Sequence, residues 1–208
     1  DLGPRLYPTM PLGHEPLSRA EVLAIRDWIS TGAPDRDGKV AFSGNDQRSK
    51  IYVANQGCDF VTVFDAETKL AMRCIDVGAS FSIESPHDIK VSPDGQYWYV
   101  TFFGGTLLQK YSTADDRLVG QVDLGISSWH SMSISNDSRY AALSKWDSQG
   151  RVAYVDLNTM TILATWVGFS YPHGCSFDAA GDFLYVVNQQ GNFIYKCDLS
   201  DIVNLEFT

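Results

Sequence analysis

The chain has 208 residues, 44% hydrophobic and 20% charged, with net charge −9 and a pI near 4.7. That is a globular composition with room for one sizeable core, or for a small domain beside a larger one. The acidic balance repels phosphate backbones and argues against nucleic acid as a partner. No apolar run approaches the roughly 20 residues a membrane-spanning helix needs. No signal peptide is visible from Asp1 onward, which leaves location open.

The first element is a helix over 18–31, within LSRAEVLAIRDWISTGAP (17–34). Ser18 and Glu21 form a capping box, each side chain satisfying an orphan N–H of the first turn. Val22, Ile25 and Ile29 share one face, with Trp28 beside it. Gly32 is the expected left-handed cap and Pro34 blocks continuation. Three turns are too few to be stable alone, so the helix must pack on something.

Upstream lies YPTMPLGHEPLS (7–18), in which His14 has no partner at metal-ligand spacing and reads as a solvated loop residue. The MP dipeptide, then PLS, then a helix ending WISTGAP resembles the C-terminal end of a c-type cytochrome domain. The resemblance covers about thirty residues and implies that Met10 is an axial haem ligand and that the helix closes the haem domain. It also implies a haem-attachment CxxCH, which this sequence does not contain and which would precede residue 1. Met10 read without the resemblance is a loop residue packed against the helix.

From residue 39 the pattern changes to short strands. Ser85–Gly125 and Ser128–Gly168 align as two copies of one unit, a third begins at YPHGCSF (171–177), and a related stretch covers KIYVANQGCDFVTVFDAETKLAMRCIDVG (50–78). The period is 43 residues with four strand-like runs, the size of one propeller blade. SPDG (92–95) and AAGD (179–182) are turns between first and second strands. FDAETK (64–69) and VDLNTM (155–160) are turns between third and fourth strands.

IYVAN (51–55), WYVT (98–101) and LYVVN (184–188) resemble the YVTN-type β-propeller repeat. The expected fold is all-β, a partial β-propeller of about four four-stranded blades over 39–208, behind a cytochrome c-like tail over 1–38. The last blade is expected to stop near the end of its fourth strand. About four blades make an incomplete ring with open edges. Further chain, or an assembly partner, would cover them.

Of the four cysteines none forms CxxC. Cys58 and Cys74 lie a hairpin apart and read equally as a disulfide or as buried free thiols.

His87, His130 and His173 recur at the period and open the first strand of their blades. In a propeller that strand is innermost, so three imidazoles from adjacent blades would approach one mouth of the central channel. Imidazole nitrogen binds copper, zinc and iron, which makes the trio a candidate metal cluster. The alternative is a fold device, in which a ring nitrogen donates to a carbonyl of the neighbouring blade. Pro86, Trp129 and Pro172 precede the histidines and shape the mouth. A repeated His–Asp dyad is absent, because Asp88, Ser131 and Gly174 follow them. No hydrolase, P-loop or Rossmann motif is present.

The functional expectation is a redox or electron-transfer protein with haem c in its upstream domain and a redox protein or another extracytoplasmic protein as partner. Haem c is attached outside the cytoplasm, so the resemblance implies the periplasm, the cell surface or the extracellular space. The competing class is a non-catalytic scaffold whose propeller face holds a partner protein or a surface polymer.

Overall fold

Ser18 starts the one helix of the described residues, α1 (Arg19–Ser30). The computed structural model describes residues 14–30, 33–34, 36–38 and 48–206, and Met10 lies outside them. The chain divides into two units, 1–46 and 47–208. In the first, the capping box forms as its residues dictate. The Ser18 N–H donates to Glu21 Oε2 at 2.7 Å and the Glu21 N–H donates to Ser18 Oγ at 3.3 Å. These bonds favour the ionised carboxylate and lower the Glu21 pKa. At the other end Ala33 takes a left-handed φ of 51° and its N–H donates to the Trp28 carbonyl, while the Trp28 indole donates to the Pro34 carbonyl at 2.7 Å. The expected cap, Gly32, lies outside the described residues. Ile25 and Ile29, on the apolar face of α1, remain exposed.

The described residues of the second unit form fourteen strands in four antiparallel sheets. Blade I is β1 (Lys50–Asn55), β2 (Phe60–Asp65) and β3 (Ala71–Asp76). Blade II is β4 (Pro86–Val91), β5 (Tyr97–Phe102), β6 (Leu107–Ser112) and β7 (Leu118–Asp123). Blade III is β8 (Trp129–Ile134), β9 (Tyr140–Lys145), β10 (Arg151–Asp156) and β11 (Thr161–Val167). Blade IV is β12 (Pro172–Phe177), β13 (Phe183–Asn188) and β14 (Ile194–Asp198). Strand order follows sequence in every sheet, and β4, β8 and β12 pack beside one another as the innermost strands. This is a partial β-propeller.

Among the described residues two blades have four strands and two have three, against the uniform four expected. Blade I lacks an inner strand among the described residues. In blade IV three strands are described: after Asp198 the backbone forms bends, the Ile202 carbonyl accepts from the Trp166 indole at 2.9 Å, and the Asp198 N–H donates to the Glu206 carbonyl at 3.2 Å.

Turn chemistry repeats with the blades. Gly95, Ser138 and Gly181 take the left-handed position of the first turn, at φ 72°, 62° and 81°. In the outer turns Asp65 Oδ1 accepts from the Glu67 and Thr68 N–H groups, and Asp156 Oδ1 accepts from those of Asn158 and Thr159. Asp65 also pairs with Arg48 at 2.5 Å. The Thr68 N–H bond and then Arg48 hold its pKa down to about 2.

Burial along the strands shows how the blades stack. The middle strands β5, β9 and β10 are buried at five successive residues, so both faces are covered. Strands β2 and β13 alternate, which marks sheets covered on one face. Trp98, Val100, Phe102 and Tyr111 of blade II pack against Val61 and Val77 of blade I. Tyr99 and Leu108 pack against Ala141, Leu143 and Val155 of blade III. Ala142, Val152 and Tyr154 pack against Leu184, Val186 and Cys197 of blade IV.

Asp116 ties the first two blades together. Its carboxylate accepts from Lys50 Nζ at 2.9 Å, the Tyr52 hydroxyl at 2.9 Å and the Trp98 indole at 3.3 Å. All four cysteines are unpaired. Cys58 and Cys74 are both exposed, so neither is bridged or buried.

Candidate functional site

Each histidine of the trio sits on a β-bulge. Along blade II, Pro86 pairs with Phe102 and Asp88 with the next residue back, Thr101, which leaves His87 as the extra residue. The same skip falls between Trp129 and Ser131 at His130, and between Pro172 and Gly174 at His173. A bulge breaks the in–out alternation of a strand and re-aims one side chain. The entry to each strand repeats too. Ser85, Ser128 and Tyr171, two residues before each histidine, adopt left-handed φ of 56°, 73° and 46°. Their carbonyls accept the N–H groups of Phe103, Trp146 and Gln189.

This repeated backbone brings the three rings together. The His87 and His130 centroids are 4.4 Å apart, and those of His130 and His173 are 5.4 Å apart. Phe103 meets His130 edge-on at 5.1 Å and Trp146 lies 5.3 Å from it on another side. The Trp146 indole donates to the Gln189 side chain, and its ring contacts Tyr171. The result is an aromatic mouth built from three blades. His14, by contrast, is exposed and lies in the other unit.

The three imidazoles differ in environment. His87 Nδ1 is 2.9 Å from the His130 carbonyl oxygen. A carbonyl only accepts, so Nδ1 carries the proton and Nε2 holds the lone pair. Both His130 nitrogens are buried and have no protein partner. Burial first, then the neighbouring His87 and His173 rings, push the His130 pKa down to about 4. His130 is therefore neutral at pH 7, with an intact lone pair. His173 is exposed at the rim.

As arranged, the rings lean on one another rather than aim their nitrogens at one point. Among the described residues, no group of three or more His, Cys, Asp or Glu side chains is placed to hold a metal ion. The bond from His87 Nδ1 to the His130 carbonyl leaves Nε2 as the ring nitrogen of His87 that an ion could take. Asp88 does not act with His87 as a dyad: its carboxylate accepts the Met132 N–H at 2.8 Å and stitches two inner strands. Further along those strands a groove of about 330 Å³ is lined by Lys90, Met132, Ser133, Cys175 and Ser176. The Cys175 thiol donates to the Ala142 carbonyl at 3.2 Å, and burial pushes its pKa up to about 12, so it is no nucleophile at neutral pH.

The sequence points to the three histidines through their period. The bulge, the left-handed entry and the partners Phe103, Trp146 and Gln189 carry no single-residue signal. The 43-residue spacing of those three partners is the one feature from which sequence could have located them.

No protein-family model matches the chain. Over 76 residues it is 34% identical to Antigen Lp49 of Leptospira interrogans, a stretch that is 36% of this chain and 15% of that protein. In structure it is similar to the hydrazine synthase of Kuenenia stuttgartiensis, with a TM-score of 0.63 and 18% identity over 77% of this chain and 46% of that one. It is also similar to the dihydro-haem d1 dehydrogenase NirN in complex with DHE, with a TM-score of 0.62 and 14% identity over 80% of this chain and 36% of that one. The chain thus spans less than half the length of each. These likenesses establish the propeller fold. No helix among the described residues is long and apolar enough to cross a membrane.

Proposed function

We propose that the chain is part of an extracytoplasmic redox or electron-transfer protein in which a c-type haem domain leads into the propeller. The observation that carries this reading is α1. It is capped at its start and held at its end, yet it leaves Ile25 and Ile29 exposed. A helix of twelve residues needs a covering surface, and a haem domain supplies one. The segment MP through WISTGAP resembles the part of such a domain that carries the Met ligand and the closing helix. Support of a coarser kind comes from the fold: one structural relative, NirN, is a dehydrogenase of dihydro-haem d1.

In this reading Met10 would be a haem ligand through its thioether sulfur, and haem c would supply one-electron chemistry. The aromatic mouth around His130 is where a redox partner or ligand would meet the propeller, since the neutral His130 imidazole and the exposed His173 ring lie there together. Metal at His87, His130 and His173 is a separate part of the reading. Metal analysis of the purified protein tests it, and the absence of a stoichiometric ion removes it.

The direct test of the haem domain is covalent haem content in the full-length native protein. Haem that stays with the polypeptide after denaturation supports the proposal. A colourless full-length protein, or one whose sequence lacks CxxCH, leaves the scaffold reading in its place.

A further inference from the structure

Between the outer strands of blades I and II lies a cleft of about 400 Å³. Its deep wall is polar. Gln109 and Tyr111 of β6 are 3% and 4% exposed there, beside the buried Asp116. Asp76, Leu118 and Gln121 are exposed at its rim. The Tyr111 ring is stacked on Trp98 with centroids 4.0 Å apart, and its hydroxyl donates to Gln109 Oε1 at 2.8 Å. Burial, and then the Asp76 charge, push the Tyr111 pKa up, so the hydroxyl stays a donor. Gln109 is thus held by its oxygen. Among the described residues its amide nitrogen donates to no protein group, which leaves two N–H bonds for the cleft.

The fold does not require this amide. Gln109 pairs with Val100, Ala153 with Leu143 and Tyr195 with Val186, so the three hold one position in successive blades. In the gap between blades II and III, Ala153 sits in an apolar cluster with Leu124 and Val155. In the gap between blades III and IV, Trp166 holds the position that Ile75 holds in blade I, and it packs with Leu184 and Cys197. Apolar side chains close those two gaps. The gap between blades I and II instead keeps open volume and a buried amide with unmatched donors, an arrangement that costs stability unless a ligand supplies the acceptor.

We infer that this cleft binds a neutral sugar unit. The Gln109 N–H groups need an acceptor and the Asp76 carboxylate needs a donor, and a sugar hydroxyl is both. The C–H face of a sugar ring suits Ile75 and Leu118, while the Asp76 charge at the rim repels an anionic ligand. The volume falls within the roughly 300–1,000 Å³ of small-molecule sites. This inference does not depend on the haem reading.

NMR titration of the full-length protein tests it, with glucose, galactose, N-acetylglucosamine and the linear tetrasaccharides of glucose and N-acetylglucosamine as probes. At least one should bind saturably. Saturation by a free monosaccharide identifies a soluble sugar as the ligand, and saturation by a tetrasaccharide alone identifies a unit of a polymer. Gln109→Ala installs the residue that blade III carries at this position, so the variant should stay folded and bind about tenfold more weakly. Asp76→Asn, at the exposed rim, should also weaken binding, and glucuronate should bind less tightly than glucose. Three results would each overturn the inference: no saturable binding across the panel, unchanged binding in both variants while they remain folded, or glucuronate binding more tightly than glucose.

Discussion

The ring nitrogen Nδ1 of His87 is held 2.9 Å from the main-chain oxygen of His130, the residue one repeat further along the chain. This bond joins two blades at the channel mouth and fixes the tautomer of His87. It also packs one imidazole against the next, which buries the nitrogens of His130 without partners.

Replacing His130 separates structure from function. An unpartnered buried polar group costs stability, so His130→Phe should be neutral or stabilising by about 1 kcal/mol in urea denaturation. His87→Ala, which breaks the inter-blade bond, should cost about 1 kcal/mol. A loss above about 2 kcal/mol for His130→Phe would mean that its nitrogens are engaged by a group that stabilises the fold.

The same burial sets a pH dependence. The folded-state pKa of His130 is about 4, below the ordinary 6.5, so between those values the unfolded chain binds the extra proton. Stability from this group is therefore complete above pH 6.5 and falls as the pH drops towards 4. The loss should be on the order of 2 kcal/mol after solvent screening. His130→Phe should abolish that part of the slope while His87 and His173 are kept. An unchanged slope would contradict it.

Much of the architecture is legible in the sequence because turns and second strands are local signals. The left-handed Gly95 and Gly181 lie in the quoted turns, and IYVAN, WYVT and LYVVN fall on β1, β5 and β13. What resists reading is set by tertiary context. Parity along PHDIKV places His87 on the apolar side of β4, but the bulge resets parity at that residue, and only pairing with β5 reveals it. The excursion after Asp198 was hidden for a related reason: the Ile202 carbonyl meets the Trp166 indole of another blade before the Glu206 carbonyl returns to the Asp198 N–H. The cysteine spacing was ambiguous because strand pairing, not distance along the chain, decides whether two thiols meet. Met10 lies outside the described residues, so the haem reading still rests on resemblance.

Asp116→Ala should detach blade I. The Asp116 and Lys50 side chains are 1% and 6% exposed, and removing one leaves the other charge buried without its partner. The cost should be about 3 kcal/mol. Limited proteolysis should then cut first within 50–78. Cleavage spread evenly over all four blades would contradict the assignment of Asp116 as the tie.

Gly150 has a backbone reason to be glycine. Its φ is 45°, and a Cβ there would meet the Phe169 carbonyl oxygen at 1.7 Å. Gly150→Ala should cost about 3 kcal/mol by forcing apart the β9–β10 turn and the strand exit at Phe169. Thermal unfolding reads it directly, and an unchanged midpoint would contradict the packing described.

The central claim is that Met10 and α1 close a haem domain upstream of the propeller. Its most direct test is a potentiometric titration of the full-length protein beside its Met10→Ala variant, followed in the visible region. Met opposite His raises the iron potential, so the variant should titrate at a markedly lower potential and lose its Met–iron charge-transfer band. Identical potentials and spectra in the two proteins would contradict the claim.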